Sequence, residues 1–110
     1  MKATPVFING KDYPVKYGFA ALRSFTDVTN MSLGGLSNLG SDMTISHAIA
    51  LVWAGMKDGA RVMKQDFTMS LDDVADLLDE DEEAIQKVLK VFEMSMSKPN
   101  MKKTKKKIAK

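Results

Sequence analysis

Residues 6–13 read Val-Phe-Ile-Asn-Gly-Lys-Asp-Tyr, and this stretch decides how the chain begins to fold. An Asn-Gly pair between two alternating runs is typical of a two-residue hairpin turn, because both turn residues must adopt positive φ. With Asn9 and Gly10 in the turn, Val6 lies opposite Tyr13. The sequence therefore predicts a β-hairpin near the start of the chain.

The predicted register gives the hairpin an apolar face and a more polar one. Alternation along the strands groups Val6, Ile8, Tyr13, Val15 and Tyr17 on the first face and Phe7, Asp12 and Lys16 on the second. Pro5 and Pro14 lie opposite each other, which predicts short or edge strands because proline donates no hydrogen bond. An isolated hairpin is marginally stable in water, so we expect it to pack on other elements.

The clearest helix is predicted from Thr44 to about Lys57. Its apolar residues recur at helical spacing and predict one buried stripe, made by Ile45, Ala48, Ile49, Val52, Trp53 and Met56. Ser41, Asp42 or Thr44 can cap its start. Gly59 is expected near its end, because glycine commonly follows the last helical turn.

Three further helices are expected. The first starts at Phe19 and ends at Thr29-Asn30. Another follows Ser70, whose hydroxyl can form a capping box with Asp73. The last begins within residues 79–83 and runs to about Ser97, before Pro99-Asn100; its apolar stripe is Ile85, Val88, Leu89, Phe92 and Met96. Residues 31–41 are rich in glycine and serine and predict a loop held by its leucines.

Composition and length predict one α+β domain, mostly helical, over residues 1–97, with the hairpin packed on about four helices. Of 110 residues, 45% are hydrophobic and 27% charged, the balance of an ordinary globular protein. There is no cysteine, so disulfides and thiolate metal sites are excluded. No apolar run is long enough for a signal-peptide core or a membrane span, and we expect a soluble protein without a membrane partner.

Residues 98–110 form a lysine-rich tail that is expected to be flexible on its own. They contain seven lysines and no acidic residue, whereas the first 97 residues carry nine basic and 14 acidic side chains, a balance of −5. The cations that could attract an acidic surface or phosphates are chiefly Lys102, Lys103, Lys105, Lys106, Lys107 and Lys110. The tail has no arginine for bidentate base contacts and no aromatic residue for stacking, which disfavours nucleic-acid binding.

No arrangement of residues in this sequence indicates an enzyme or a cofactor. The single histidine, His47, lies opposite the stripe of its helix and is expected to be exposed. Eight carboxylates occur between Asp72 and Glu83, but leucines interrupt them and no central glycine makes a calcium loop. We interpret these acids as helix caps and a solvated face. Gly34-Gly35 is not followed by the Gly-Lys-Ser/Thr of a phosphate loop.

Methionine is the residue type that points to binding, with nine in 110 residues. Its side chain is flexible and polarisable, and adaptable binding surfaces use it often. The candidate partner-binding residues, each of which could instead fill the core, are Trp53, Met56, Met63, Phe92, Met94 and Met96. We hypothesise that Trp53, Met56, Phe92 and Met96 line one partly exposed groove.

The order of these segments resembles the small tail assembly chaperones of long-tailed bacteriophages. The resemblance begins with residues 7–25, which read FINGKDYPVKYGFAALRSF: a strand, an Asn-Gly-Lys turn, a second strand and a helix with an Ala-x-Leu-Arg-like pattern. It continues through the leucine-spaced loop, the helix from Ile45 to Met56 and the segment SLDDVADLL at residues 70–78. In all it covers residues 6–96. The basic tail has no counterpart in this pattern.

The resemblance implies a protein of the infected host's cytoplasm. Its function would be to coat the tape-measure protein and to help recruit tail-tube subunits. Two alternatives stay open: a structural tail or head–tail completion subunit, and a nucleic-acid-associated accessory protein that uses the basic tail. A homo-oligomer is compatible with each of them.

Overall fold

The predicted hairpin is present in the computed structural model, which describes residues 3–32, 35 and 43–96. The architecture is α+β and mostly helical, as expected: an N-terminal antiparallel hairpin followed, in the described part of the chain, by four helices. The elements are β1 (Thr4–Ile8), β2 (Lys11–Val15), α1 (Phe19–Thr29), α2 (Ile45–Val62), α3 (Leu71–Glu80) and α4 (Ala84–Met96). Among these helices none is both long enough and apolar enough to cross a membrane.

The hairpin has the predicted register. Asn9 and Gly10 occupy the turn with φ of 48° and 82°, and Val6 lies opposite Tyr13. Pro5 and Pro14 are paired, as expected from the sequence. In a two-residue hairpin the residues next to the turn exchange hydrogen bonds and every second pair does not, so both prolines fall where no ladder donor is needed.

Two contacts hold the hairpin to the start of α4. The Asn9 backbone N–H donates to Asp81 Oδ2 at 3.0 Å, and the Lys87 ammonium donates to the Phe7 carbonyl at 2.8 Å. The hydrogen bond from Asn9 is the main cause that lowers the pKa of Asp81 below its ordinary value, and Lys87 adds to the effect. The carboxylate of Asp81 therefore joins an early turn to a late helix.

Helix α2 lies at the centre of the molecule and is longer than the sequence predicts. The expected end near Gly59 is wrong, because the helix continues to Val62. Gly59 instead allows β2 to approach: a Cβ built there would collide with the Pro14 carbonyl. One turn earlier, the Gly55 carbonyl accepts the Lys16 N–H at 3.0 Å, so the end of β2 is hydrogen-bonded to the helix backbone.

The buried surface of α2 also differs from the predicted stripe. Ile45, expected in the core, is 78% exposed, because it is the first residue of the helix and projects beyond the core. Neighbours cover the middle of α2 on several sides, and its buried residues include Ala50, Leu51 and Ala54 in addition to the stripe positions Ala48, Val52 and Met56.

One buried carboxylate stabilises the junction between β2, α1 and α2. Asp58 is almost fully buried, and its Oδ1 accepts from Arg61 Nη2 at 2.7 Å. Its Oδ2 lies 3.6 Å from Lys16 Nζ and accepts the Gly18 N–H at 3.4 Å. A buried charge is tolerated when it is paired and hydrogen-bonded, and these contacts supply both conditions.

The helix starts and the end of α1 follow their sequence signals closely. Helix α1 ends at Asn30, which has φ of 61°, and Thr44 caps α2 through the His47 N–H. The predicted capping box of α3 is present, with Ser70 and Asp73 each bonding the other's backbone N–H. Helix α4 begins at Ala84, one residue after the predicted window. The tail 98–110 and most of the loop 31–41 lie outside the described residues.

Candidate functional site

Large apolar side chains are exposed around one side of the molecule, where α4 passes the hairpin and the start of α1. Phe19 is 87% exposed and Met94 is 64% exposed, and Phe7 and Met96 are also exposed there. A groove runs between these side chains. We call it the α4 groove and define it by its main lining residues: Phe7, Phe19, Val91, Met94 and Met96.

The α4 groove has two adjoining sections. The larger, of about 500 Å³, lies where the end of β2 and the start of α1 face the last turns of α4. The smaller, of about 320 Å³, lies between β1 and the middle of α4. Thr4 and Val91 line both sections, so the two form one continuous depression. Its total size is within the range of ligand-binding pockets, although it is open rather than enclosed.

The helical spacing of α4 explains how the groove is built. Ala84, Val88 and Phe92 recur every four residues and are buried in the core. The ring of Phe92 packs edge-to-face on Tyr17 with centroids 5.2 Å apart. Val91 and Met94 lie on the neighbouring stripe of the helix and line the groove, and Val91 also packs partly against the core.

Cations border the groove. Lys16, Lys87 and Lys90 line it, and among the described lining residues there is no carboxylate. Lys16 pairs with Asp58 and Lys87 with Asp81, which lies 3.7 Å from the Lys87 ammonium. Lys90 is exposed, and its ammonium makes no ion pair or hydrogen bond within the described residues.

The structure separates the six residues predicted to bind a partner. The partial exposure expected for Met56 and Phe92 is wrong: they are 1% and 7% exposed, because α2 and α4 bury them in the core. Only Met94 and Met96 line the α4 groove. Met63 is exposed at the C-terminal cap of α2 and is not among the residues that line the groove.

Trp53 is half-buried and takes part in a different contact. Its indole N–H donates to the Met69 carbonyl at 3.1 Å, which holds the segment between α2 and α3 against α2. The Lys57 ammonium lies 5.6 Å from the centre of its ring, close enough for a cation–π interaction. The hypothesised groove of Trp53, Met56, Phe92 and Met96 is therefore not formed.

Sequence reasoning missed Phe7, Phe19 and Val91. Phe7 carried a signal, because it is an aromatic residue on the polar face of the predicted hairpin. Phe19 also carried a signal of exposure, because it is the first residue of its helix and such a residue is rarely covered by its own helix. Val91 was next to the predicted core stripe, and only the position of β1 beside α4 places it in the groove.

His47 is half-buried, so the expected exposure of this residue is wrong. Its ring packs against Phe25, with centroids 6.3 Å apart, because α1 covers the side of α2 opposite the predicted stripe. Its Nδ1 is buried and has no hydrogen-bond partner among the described residues. Within the same residues, no group of three or more His, Asp or Glu side chains is placed to hold a metal ion.

The chemistry available to the α4 groove is the burial of another molecule's apolar surface beside a positive charge. Removing apolar surface from water contributes about 25 cal/mol per Å², and the exposed rings and thioethers supply such surface. The lysines of the tail, predicted to be electrostatic, lie outside the described residues. No protein-family model, curated protein sequence or solved structure matches this chain.

Proposed function

We propose that this protein is a bacteriophage tail assembly chaperone that binds the tape-measure protein and aids assembly of the tail tube in the host cytoplasm. The observation that carries the proposal is the α4 groove, with its exposed Phe7, Phe19, Met94 and Met96. The resemblance of residues 6–96 to this chaperone family supports the same function.

The groove suits a chaperone because the contact has to be reversible. A tape-measure protein presents apolar helical stripes until the tube encloses it, and they must be covered in the meantime. An open groove releases its occupant more easily than an enclosed pocket. Met94 and Met96 can adapt to successive side chains, because a methionine side chain has three rotatable bonds and a polarisable sulfur.

Co-expression with a tape-measure protein tests the proposal. The full chain is expected to keep the tape-measure protein in the soluble fraction and to co-purify with it. The double substitution Met94→Gln with Met96→Gln removes apolar contacts from the groove, and we expect it to weaken binding about tenfold or more. Both side chains are exposed, so the variant should fold like the native chain.

Met63→Gln is the matched control, because Met63 is an exposed methionine outside the groove. We expect it to leave solubilisation of the tape-measure protein unchanged. If native chain and groove variant rescue the tape-measure protein equally, the groove is not the binding surface. If the native chain gives no rescue and is instead found in purified virions, the proposal is wrong and a structural subunit replaces it.

A further inference from the structure

We propose that the α4 groove selects an α-helix that carries an apolar stripe flanked by carboxylates, and that Lys90 recognises these carboxylates by pairing with them. The inference rests on the proposed function and goes further, since it states the conformation and the charge of the segment that is bound. Three observations carry it: the interrupted outer edges of the hairpin, the length of the groove along α4 and the distribution of its cations.

The outer edge of β1 offers an added strand only an incomplete row of main-chain groups. In the register of the hairpin, the backbone groups of Pro5 and Phe7 point away from β2. Pro5 has no N–H to donate, and the Phe7 carbonyl already accepts from the Lys87 ammonium at 2.8 Å. Of the four groups that a new strand would pair with at these two residues, only the Pro5 carbonyl and the Phe7 N–H remain.

The outer edge of β2 is covered at its end, from Pro14 to Lys16. The Lys16 N–H, which follows the strand, donates to the Gly55 carbonyl, and the Pro14 carbonyl lies directly against Gly59. Helix α2 therefore covers the part of this edge nearest to it. Because strand addition depends on a row of free main-chain groups, and both edges of the hairpin are interrupted, the groove favours an occupant whose own backbone hydrogen bonds are already made.

A helix meets this requirement and fits the groove. Its backbone groups are paired internally, so only its side chains need partners. The lining residues of α4 extend from Lys87 to Met96, which corresponds to about 15 Å of helix. An antiparallel or parallel helix of about ten residues, or three turns, matches this length. Its apolar stripe would contact Val91 and Met94 in the smaller section and Phe19 in the larger.

The cations decide which helix is preferred. Lys16 and Lys87 are paired with Asp58 and Asp81, although Asp58 also pairs with Arg61, so an occupant meets Lys90 as the exposed cation of the lining that has no partner among the described residues. A carboxylate on the flank of the incoming helix would pair with Lys90, whereas a lysine there would be repelled. Of two helices with equal apolar stripes, the one with negative charge on its flanks is therefore expected to bind more tightly.

Two synthetic helical peptides provide the test, with the same leucine and methionine stripe but glutamates on the flanks of one and lysines on the flanks of the other. We measure their affinity for the full chain by fluorescence anisotropy at low ionic strength. The glutamate peptide is expected to bind about three- to tenfold more tightly. Lys90→Glu should reduce this preference clearly, although the lysines of residues 98–110 still attract the glutamate peptide, and added salt should reduce it further.

Lys64→Glu is the matched control, because it makes the same change of charge outside the groove. We expect it to keep the preference for the glutamate peptide. A third peptide, extended and rich in valine and threonine, probes strand addition and should bind more weakly than either helix. Circular dichroism checks that Lys90→Glu and Lys64→Glu retain the native helix content.

Equal binding of the two helical peptides, no binding of either, or tighter binding of the extended peptide would each overturn the inference. These outcomes are separable from failure of the proposed function. Should the chain rescue the tape-measure protein through Met94 and Met96 without discriminating between the peptides, the function stands and the charge selection fails. Should it discriminate between the peptides without rescuing the tape-measure protein, the groove chemistry stands and the proposed partner is wrong.

Discussion

Gly59 has a hydrogen atom where other residues have a Cβ, and this allows β2 to lie close to α2. It lies in α2, where alanine would ordinarily stabilise the helix by up to about 1 kcal/mol relative to glycine. Here a Cβ would meet the Pro14 carbonyl and the Val15 nitrogen, which are backbone atoms that cannot move aside as a flexible side chain can. The packing constraint therefore opposes the helix preference at this position.

Gly59→Ala is expected to destabilise the protein by about 1–3 kcal/mol, since overpacking of a close contact costs that much. Urea denaturation followed by circular dichroism measures the change. Whether Gly59→Ala is less stable or more stable than the native chain shows which effect dominates, the close contact or the helix preference. A more stable Gly59→Ala variant would mean that helix preference dominates and that β2 does not lie this close to α2.

Tyr17 predicts how stability depends on alkaline pH. It is buried, its hydroxyl donates to the Leu51 carbonyl at 2.6 Å, and burial raises the pKa of Tyr17 well above 10.0. Because the folded pKa exceeds the unfolded one, this side chain binds its proton more tightly when folded. Its contribution is complete below about pH 10 and is lost as pH rises above that value.

Tyr17→Phe is therefore expected to cost about 1 kcal/mol at neutral pH, because it removes one buried hydrogen bond. Above pH 10 the variant should lose stability less steeply than the native chain. Urea denaturation at a series of pH values checks both effects. Tyr13→Phe, which leaves Tyr17 in place, serves as the control and should keep the native slope.

At the scale of elements, the helix starts depend on short polar contacts. Ser70 and Asp73 satisfy each other's backbone N–H groups at the start of α3, with distances of 3.1 and 2.9 Å. This helix has a single fully buried residue, Val74, with Leu77 and Leu78 partly buried beside it, so it packs less deeply than α2 and the cap matters more. The capping box therefore contributes a larger share of the stability of α3 than an equivalent cap would contribute to the stability of α2.

Ser70→Ala is expected to destabilise the protein by about 1 kcal/mol, the usual cost of removing an N-cap hydroxyl. Hydrogen exchange should accelerate first at the amides of α3. Ser46→Ala is the control, since Ser46 is an exposed serine in the first turn of α2 and lies inside the helix rather than at its cap. Equal destabilisation by the two substitutions would contradict the role of the capping box.

At the scale of the whole molecule, the fold divides the methionines into buried and accessible classes. Met56 is buried in the core, whereas Met63, Met94 and Met96 are exposed. Mild treatment with hydrogen peroxide should therefore oxidise the three exposed residues well before Met56, because oxidation follows exposure. Peptide mass spectrometry measures the order. Early oxidation of Met56 would show that the core around α2 opens readily.

The same treatment connects accessibility with function. A sulfoxide at Met94 or Met96 places a polar group in the α4 groove, and we expect it to weaken binding of an apolar helix. The loss should follow oxidation of these two residues and not that of Met63.

Local sequence determined much of this fold. The Asn9-Gly10 turn fixes the register of the hairpin because few residue pairs tolerate two positive φ angles in succession. Ser70 with Asp73 marks the start of a helix for an equally local reason, as their side chains bond backbone groups within the same turn. Interactions over three or four residues can be recognised without knowing where the rest of the chain lies.

Other features could be decided only by the tertiary structure. Whether Gly59 ends α2 depends on β2, which lies against it, and whether Met56 or Met94 is accessible depends on which elements cover α2 and α4. The α4 groove combines residues from β1, α1 and α4 that are far apart in sequence, so no local sequence pattern predicts it. The apolar periodicity of a helix indicates which side of it is apolar. Only the positions of the neighbouring strands and helices determine whether that side becomes core or binding surface.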